Sequence, residues 1–567
     1  MIKKLYLPLL MGVVVVALSS CSSKLGELGA DFFALTPPVL EATAGKVPVT
    51  ITGTFPQNYF NKNAIVEVTP VLRWEGGEAR GEKYVYQGEN VQGNNTVIPY
   101  QGGSVTLKTS YDYIPQMAKS ELYLEFEAQV NGKATSLPAI KVGDGVISTS
   151  TLVTSTIVGD NIAAFSSDAF QRIIKEAKET EIKFLIQQAN IRESELKGQS
   201  VKEFNKQIVD VNAAANKQIS NIGVSSYASP DGGLDLNTKL AQDRAISTEK
   251  YLNQQFKSGK IKDVTVDSKS TAEDWAGFQE LVSKSDLQDK DLILRVLSMY
   301  NDPEQREREI KNISTVYKTL ADEILPQLRR SRLILNYEII GKSDEELSNL
   351  ANTNPSQLDI EELIYAATLT NNDAEKETIY NSAISQYPND YRAYNNAGVI
   401  AYQAANLDKA ESLFKKAASI KAAPEVNLNL GLISLAKGDN AAAESYLGNA
   451  SGAEGLNEAL GNLYIAQGQY ERAVNSFGDS KTNSAALAQI LTNDYNKANA
   501  TLNSISNPDA NTDYLSAIVG ARTNNASLLT SSLKKAVQKN PSLSQKAASD
   551  IEFEKYRSTP EFTDIIK

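Results

Sequence analysis

Three glycines, Gly398, Gly431 and Gly461, stand 33 and 30 residues apart, and each sits in similar surroundings. One copy reads Tyr394, Ala397-Gly398, Tyr402, Ala410, Phe414, Ala417. The next reads Asn427, Leu430-Gly431, Ala443, Leu447, Ala450, and a third Leu460-Gly461, Tyr464, Ala473, Phe477. A period of this length cannot bury its apolar face within one copy, so successive copies must stack. Weaker copies flank the three: Tyr380, Ala383 and Pro388 before, and Leu533, Ala536 and Pro541 after. Shortened copies near Ala488 and Ala500 lie between. The spacing predicts an all-helical solenoid over residues 359–567. A glycine at each helix crossing would let the two helices of a pair approach closely.

These residues resemble the tetratricopeptide repeat, whose helix pairs recur about every 34 residues. The resemblance implies a concave surface, lined by the first helix of each pair, that receives a peptide or a partner protein. Tyr391, Asn395, Asn396 and Asn429 lie on first helices and are the groove candidates. The plainer reading is a structural stack with no partner.

The rest of the composition removes most chemistry. There is no histidine, which excludes histidine-based nucleophile systems and histidine metal sites. The single cysteine excludes an internal disulfide and a thiolate zinc cluster. A net charge of −11 without a basic stretch argues against nucleic acid as a partner. Catalysis would have to rest on a carboxylate pair acting on glycans. Asp231 and Asp235 are the nearest candidates, and nothing sets them at a catalytic separation. No phosphate-binding loop is present, and no cofactor or metal is expected.

The one cysteine is placed where it carries information. Lys3 and Lys4 precede an apolar run from Leu5 to Leu18, too short to span a bilayer, and Leu18-Ser19-Ser20-Cys21 follows. Residues 1–20 read as an export signal. Leu-Ser-Ser-Cys resembles the bacterial lipobox, which implies diacylglycerol on the Cys21 thiol and a third acyl chain on its new amino group. Several chains anchor firmly where one is marginal. Cleavage deletes two lysines and no acid, so the processed chain is more acidic still, and the lipid is its route to the membrane.

Residues 21–35 read as a tether. From residue 36 to about 150, alternation takes over: Val47, Val49 and Ile51, then Leu122, Leu124, Phe126, Ala128 and Val130. Period two with frequent glycine turns predicts a small β-sandwich, with Trp74 and Tyr111 as sheet or core residues. Beyond residue 160 come a strand over 182–191, a helix over 201–219, a strand over 222–227 and a helix over 234–256. This order predicts helices packed on a sheet. The acidic passage 342–358 reads as a linker.

This middle region carries a second resemblance. Ser226-Tyr227-Ala228-Ser229-Pro230-Asp231-Gly232, then Asn237, Leu240, Arg244 and Ala245, are similar to the OmpA-like peptidoglycan-binding domain. Its pattern there is Gly-x-Thr-Asp-x-x-Gly, then Asn-x-x-Leu-Ser-x-x-Arg-Ala. Leu328 to Leu335 is similar to the family's closing strand. The resemblance covers residues 160–341, with an enlarged helical region from Lys284 to Pro326. It implies that an aspartate binds the ammonium of diaminopimelate in the peptidoglycan stem peptide while Arg244 binds its carboxylate. Here Ser229 stands at the aspartate's place. Asp231 either substitutes for it or caps the following helix. Asn237 fixes the loop. The alternative role for Arg244 is a salt bridge near Asp231 or Asp243. Two other acidic clusters read as helix starts: Glu273-Asp274 before Trp275 and Phe278, and Asp286, Asp289 and Asp291.

The expectation is thus a multidomain chain: an N-terminal β-sandwich, a central α/β OmpA-like domain and a C-terminal tetratricopeptide-like solenoid. It resembles Bacteroidetes-type outer-membrane lipoproteins that combine an OmpA-like domain with such repeats. That resemblance implies a periplasm-facing, non-catalytic scaffold anchored by Cys21, touching peptidoglycan and recruiting a protein partner. The alternative is a surface-exposed adhesin or complex subunit whose OmpA-like fold no longer binds peptidoglycan.

Overall fold

The computed structural model describes residues 29–567 apart from Gln288 and Ile313. The expected export signal and Cys21 lie outside the described residues. The chain forms two compact units. One joins the chain up to Ser167 with Thr370–Lys567, and the other is Asp168–Leu369. The first therefore unites N-terminal β-sheets with the C-terminal helical array, and the second is mixed α/β.

In the first unit the expected alternation is realised residue by residue. Strand Ser120–Val130 buries Leu122, Leu124, Phe126, Ala128 and Val130, and strand Lys46–Phe55 buries Val47, Val49 and Ile51. The two strands belong to different sheets. Lys46–Phe55 is the middle strand of three, between Phe33–Thr36 and Gly103–Asp112. Ser120–Val130 pairs along its full length with Ala64–Trp74 in a seven-stranded sheet. Their inward faces share one core, to which Tyr111 contributes and against which Trp74 packs. Phe33–Thr36 corrects the tether expected over 21–35: its last residues pair with Thr50–Gly53 as an edge strand.

The helical array comprises five successive pairs. They are Tyr391–Gln403 with Leu407–Ile420, Pro424–Ala436 with Asn440–Gly448, Leu456–Ala466 with Tyr470–Phe477, Asn483–Leu491 with Tyr495–Asn503, and Ala510–Arg522 with Ala526–Lys539. Short polar side chains at Asp390, Asn406, Asp439, Thr482, Asp494, Asp509 and Asn525 accept from the first-turn amides and set where these helices begin. The glycines work by close approach. A Cβ on Gly398 would lie 2.6 Å from the Phe414 ring, one on Gly431 2.6 Å from Leu447, and one on Gly461 2.7 Å from Phe477. The larger residue of each second helix fills the space its glycine leaves. Gly520, not singled out in the sequence, serves the fifth pair: its Cβ would meet the Leu529 backbone at 2.5 Å. In the shortened fourth pair Ala488 is fully buried at the corresponding crossing.

The second unit is built on a four-stranded sheet in the order Ile173–Lys183, Arg330–Ile340, Lys217–Tyr227, Val266–Thr271. Lys217–Tyr227 and Val266–Thr271 run parallel, joined by the long crossover helix Leu234–Gly259; Arg330–Ile340 is antiparallel to its neighbours. Ile182, Ile222, Val224, Leu333 and Leu335 pack against Phe204, Ile208, Val211, Leu252 and Phe256. A separate helical core holds Phe278, Val282, Ile293, Leu297, Ile310, Leu320, Ile324 and Leu328, with Trp275 packed against it.

Four expectations need correction here. The first strand spans Ile173–Lys183, and of the run expected at 182–191 only its start is strand. Residues 173–179 alternate charges and are largely exposed on both faces, so hydrophobic patterning misses them. The helix expected over 201–219 is Gln199–Ala213, and the next strand starts earlier, at Lys217. The supposed linker 342–358 contains the helix Asp344–Thr353, started by a capping box between Ser343 and Glu346. It clusters with the α/β unit, where Asp344 pairs with Arg172 and Phe170 stacks on Tyr365 at 4.5 Å.

Candidate functional site

The groove of the helical array is occupied, and its occupant is the chain itself. After the last strand of the sheets, Thr149–Leu152 forms a 3-10 turn, Val153–Gly159 a helix, and residues 160–167 an extended segment. Val153–Gly159 contacts the first helix of all five pairs. The strap runs opposite to the order of the repeats: Leu152 and Val153 at its start join the core of the later pairs, and its extended part reaches the first two.

The extended part is held by the asparagines named from sequence. The Ala164 N–H donates to Asn429 Oδ1 at 2.8 Å, and Asn429 Nδ2 donates back to the Ala164 carbonyl at 2.8 Å. Two residues on, the Ser166 N–H donates to Asn396 Oδ1 at 2.7 Å, and Asn396 Nδ2 donates to the Ser166 carbonyl at 2.9 Å. Each side-chain amide thus pairs with one residue's backbone much as a neighbouring strand would. Residues i and i+2 of an extended chain face the same way, which is why alternate residues are read. Asn395 adds a bond of 3.0 Å to the Ala164 carbonyl and accepts from Asn429 at 2.9 Å. All three asparagines are buried, where an unpaired amide would be costly.

Tyr391 acts at one remove. Its hydroxyl donates to Glu425 at 3.0 Å, and Glu425 accepts from the Ser166 hydroxyl at 2.7 Å. Burial, then the Glu425 charge, pushes the Tyr391 phenol above its ordinary range.

The helical part is held differently. Leu152 and Val153 join one repeat core and Ile157 the other. Tyr402, fully buried, donates to the Ile157 carbonyl at 2.8 Å, and Ser484 bonds Thr156 at 2.9 Å. Asp160 ends the helix and accepts from the N–H groups of Asn483 and Ser484 at 2.8 and 3.0 Å, at the start of Asn483–Leu491. This is the place where a helix favours an anion. Burial nevertheless pushes the Asp160 carboxyl up to about 6, against the pull of Ser484 and the two N–H groups.

Sequence reasoning named Tyr391 and the asparagines for a partner's groove, where the structure sets the asparagines against the chain's own residues 164–166; it did not single out Glu425, Ser484 or the strap, and named Tyr402 only as a repeat residue. Asn395, Asn429 and Asn462 recur at 34 and 33 residues, which marks a ladder along the first helices. In the third pair Asn462 donates to its own helix, at the Glu458 carbonyl.

The residues around Arg244 form a second arrangement. Arg244 is 1% exposed, and its guanidinium donates to three backbone carbonyls: Gln188 at 3.0 Å, Tyr227 at 2.8 Å and Leu185 at 3.2 Å. It lies over the Phe184 ring at 5.1 Å. Burial and the neighbouring Arg329 charge push it down to about 10. The bridge expected near Asp231 or Asp243 is not made by Arg244. Asp231 instead takes Arg329 at 3.0 Å and the Ser229 hydroxyl at 2.5 Å. Nor does Asp231 cap the next helix, whose N-cap is Gly233, without a side-chain bond. Asn237 fixes the loop by donating to the Gly232 carbonyl at 2.8 Å.

Asp274 caps the helix beginning at Trp275 and pairs with the buried Arg330 at 3.2 Å. Asp289 precedes Lys290–Met299 without a side-chain capping bond. Among the described residues no group of acidic, cysteine or histidine side chains is arranged to hold a metal ion. No helix among them is long and apolar enough to cross a membrane.

No curated protein matches this chain. Among solved structures, a tetratricopeptide repeat protein from Parabacteroides merdae is similar at 15% identity and a TM-score of 0.28, over 35% of this chain and 85% of that one. The Cut9–Hcn1 hetero-tetramer of the APC/C is similar at 14% identity and a TM-score of 0.29, over 65% of this chain and 80% of that one. Likeness of this degree carries no argument about fold or function. The family model for the tetratricopeptide repeat matches residues 391–424, the first helix pair and the start of the next, and this C-terminal array is a tetratricopeptide-repeat region.

Proposed function

We propose that this chain is a non-catalytic scaffold of the bacterial envelope, lipid-anchored at Cys21 in the outer membrane, whose repeats hold polypeptide. One observation carries the scaffold reading: Asn396 and Asn429 each bracket the backbone of an extended segment with a donor and an acceptor. That chemistry suits a peptide backbone and neither requires nor supports catalysis. The lipid anchor and the periplasm-facing location rest on the sequence of residues 1–21. Metabolic labelling with an alkynyl fatty acid tests them. Label on the intact chain that disappears in Cys21→Ser, together with protection from protease on whole cells, is the expected result.

The peptidoglycan link rests on the OmpA-like motif, with Arg244, Ser229, Asp231 and Asn237 as the residues concerned. A second reading gains from the geometry around Arg244: a guanidinium already holding three carbonyls has little left for a carboxylate. In that reading the protein is a surface-exposed lipoprotein or complex subunit, and the α/β unit is only a platform. Pull-down of the intact protein by purified diaminopimelate-containing sacculi separates the two. Binding lost in Arg244→Ala, with the fold retained, favours the wall link; absence of binding, restored in Ser229→Asp, favours the platform.

A further inference from the structure

The two halves of the strap are not equally committed to the groove. The helical half buries Leu152, Val153, Thr156 and Ile157 and ends in the Asp160 contact with the start of Asn483–Leu491. Immediately after it, Asn161 has φ +51, a left-handed conformation that breaks the backbone direction. Beyond that bend Ile162 still packs against the array's core, whereas residues 163–166 insert only small side chains, Ala163, Ala164 and Ser166, with Phe165 between them 41% exposed. Its bonds to Asn395, Asn396 and Asn429 all use backbone atoms, which any extended polypeptide carries. Side-chain contacts add selectivity: the Ser166 hydroxyl donates to Glu425, and the Lys376 ammonium lies over the Phe165 ring at 6.0 Å.

We infer that the Asn396–Asn429 ladder is an exchangeable binding site for an extended, uncharged segment of a partner protein. The partner would place alanine and serine two residues apart, in an Ala-x-Ser pattern, with a half-exposed side chain between them that Lys376 can cover. Residues 161–167 fill the site in cis and yield to this segment about the bend at Asn161, while Val153–Gly159 stays docked. The inference rests on the scaffold reading and names the chemistry of its partner. A tethered occupant competes at an effective concentration on the order of millimolar. The partner must therefore exceed the strap by further contacts along the array, or be delivered at comparable local concentration.

The test uses the full chain and a fluorescent peptide with the sequence of residues 160–168. Ala164→Glu puts a charged side chain where a small one is buried and leaves every groove residue intact. Ser166→Pro removes the N–H that Asn396 accepts and loosens the strap by a second route. Hydrogen exchange across residues 161–167 reads whether the strap has left. The expected result is faster exchange confined to that segment and peptide affinity at least about tenfold above the unaltered chain. Adding Asn396→Ala with Asn429→Ala should return the affinity to the unaltered level.

Three results overturn the inference. One is a strap that neither substitution frees while the rest of the fold is retained. Another is a freed groove that does not take the peptide. The third is equal binding of a peptide carrying Glu at the Ala164 place. The envelope-anchor part of the proposed function fails separately, if the lipid label on Cys21 is absent while the freed groove still binds peptide.

Discussion

The repeat groove and the surroundings of Arg244 are both filled by the chain's own backbone, but with opposite chemistry. In the groove, neutral side-chain amides supply donor and acceptor together, so any extended backbone satisfies them. At Arg244 the side chain is a buried cation, and three carbonyls from three positions surround it. An amide ladder can exchange one strand for another with little net change in hydrogen bonding. A buried guanidinium cannot give up its carbonyls without an anion to replace them. The comparison teaches that a motif locates a binding position, whereas the number of bonds already made there decides whether it is open.

The largest effect that could break this contrast is at Arg244. Arg244→Met should take the guanidinium donor from three carbonyls, of which Leu185's keeps the Gln188 N–H, and cost about 3–5 kcal/mol of stability. The check is the denaturation midpoint of the intact chain. A stability loss near zero would mean that the carbonyls find other donors and that the guanidinium is free for a ligand.

Next comes pH. The Asp160 carboxyl rises from its ordinary 3.8 to about 6 on docking. Between those values the docked strap holds a proton that the released strap gives up. Docking is therefore fully supported below about pH 4 and weakens as pH rises through 6, by roughly 2–3 kcal/mol in all. Exchange of the Thr156–Asp160 amides, corrected for intrinsic rates, should show less protection at pH 7.5 than at pH 4.5. Asp160→Asn should flatten the dependence. A profile that instead gains protection toward neutral pH would show that the helix start and its two N–H groups outweigh burial.

Asn396→Ala sharpens the contrast within the groove. It strands one N–H and one carbonyl of Ser166, at about 2 kcal/mol. The loss should appear as faster exchange over residues 161–167, with Val153–Gly159 unaffected. If both halves loosen together, the strap is one unit and the bend at Asn161 has no role. The smallest effect is in the array itself. Gly398→Ala forces Phe414 to move and should cost about 1–2 kcal/mol, read as a lowered melting temperature.

Much of the array was legible in the sequence because repetition declares itself. The glycines at 398, 431 and 461 and their later partners announced both the helix crossings and the residues that fill them. The asparagines followed, since groove positions recur with the repeat. What the sequence could not supply was the occupant. Residues 151–159 fall in a gap between the expected domains, residues 160–167 read as part of the α/β region although they belong with the array, and a segment that binds through its backbone leaves no side-chain signature. The Arg244 surroundings were hidden for a related reason. Its carbonyls at Leu185 and Gln188 come from an apolar run that reads as strand but forms an irregular loop. The helix at Asp344–Thr353 escaped notice because its acidic first turn resembles a linker, although Ser343 and Glu346 stand at capping-box spacing.

The strap also sets the order in which the chain can be completed. Ser166 finds Asn396 across 230 positions, Asp160 finds Ser484 across 324, and Thr149 finds Glu552 across 403. A chain delivered from its N-terminus must hold residues 149–167 undocked until nearly all of it has arrived. Contacts this distant in sequence are slow to form, because the intervening loop must close first. During that interval Val153, Ile157 and the apolar lining of the array are uncovered together, the condition in which large chains aggregate or exchange segments with one another. A helper that shields this stretch during delivery would therefore act on the step that joins the first part of the molecule to the last.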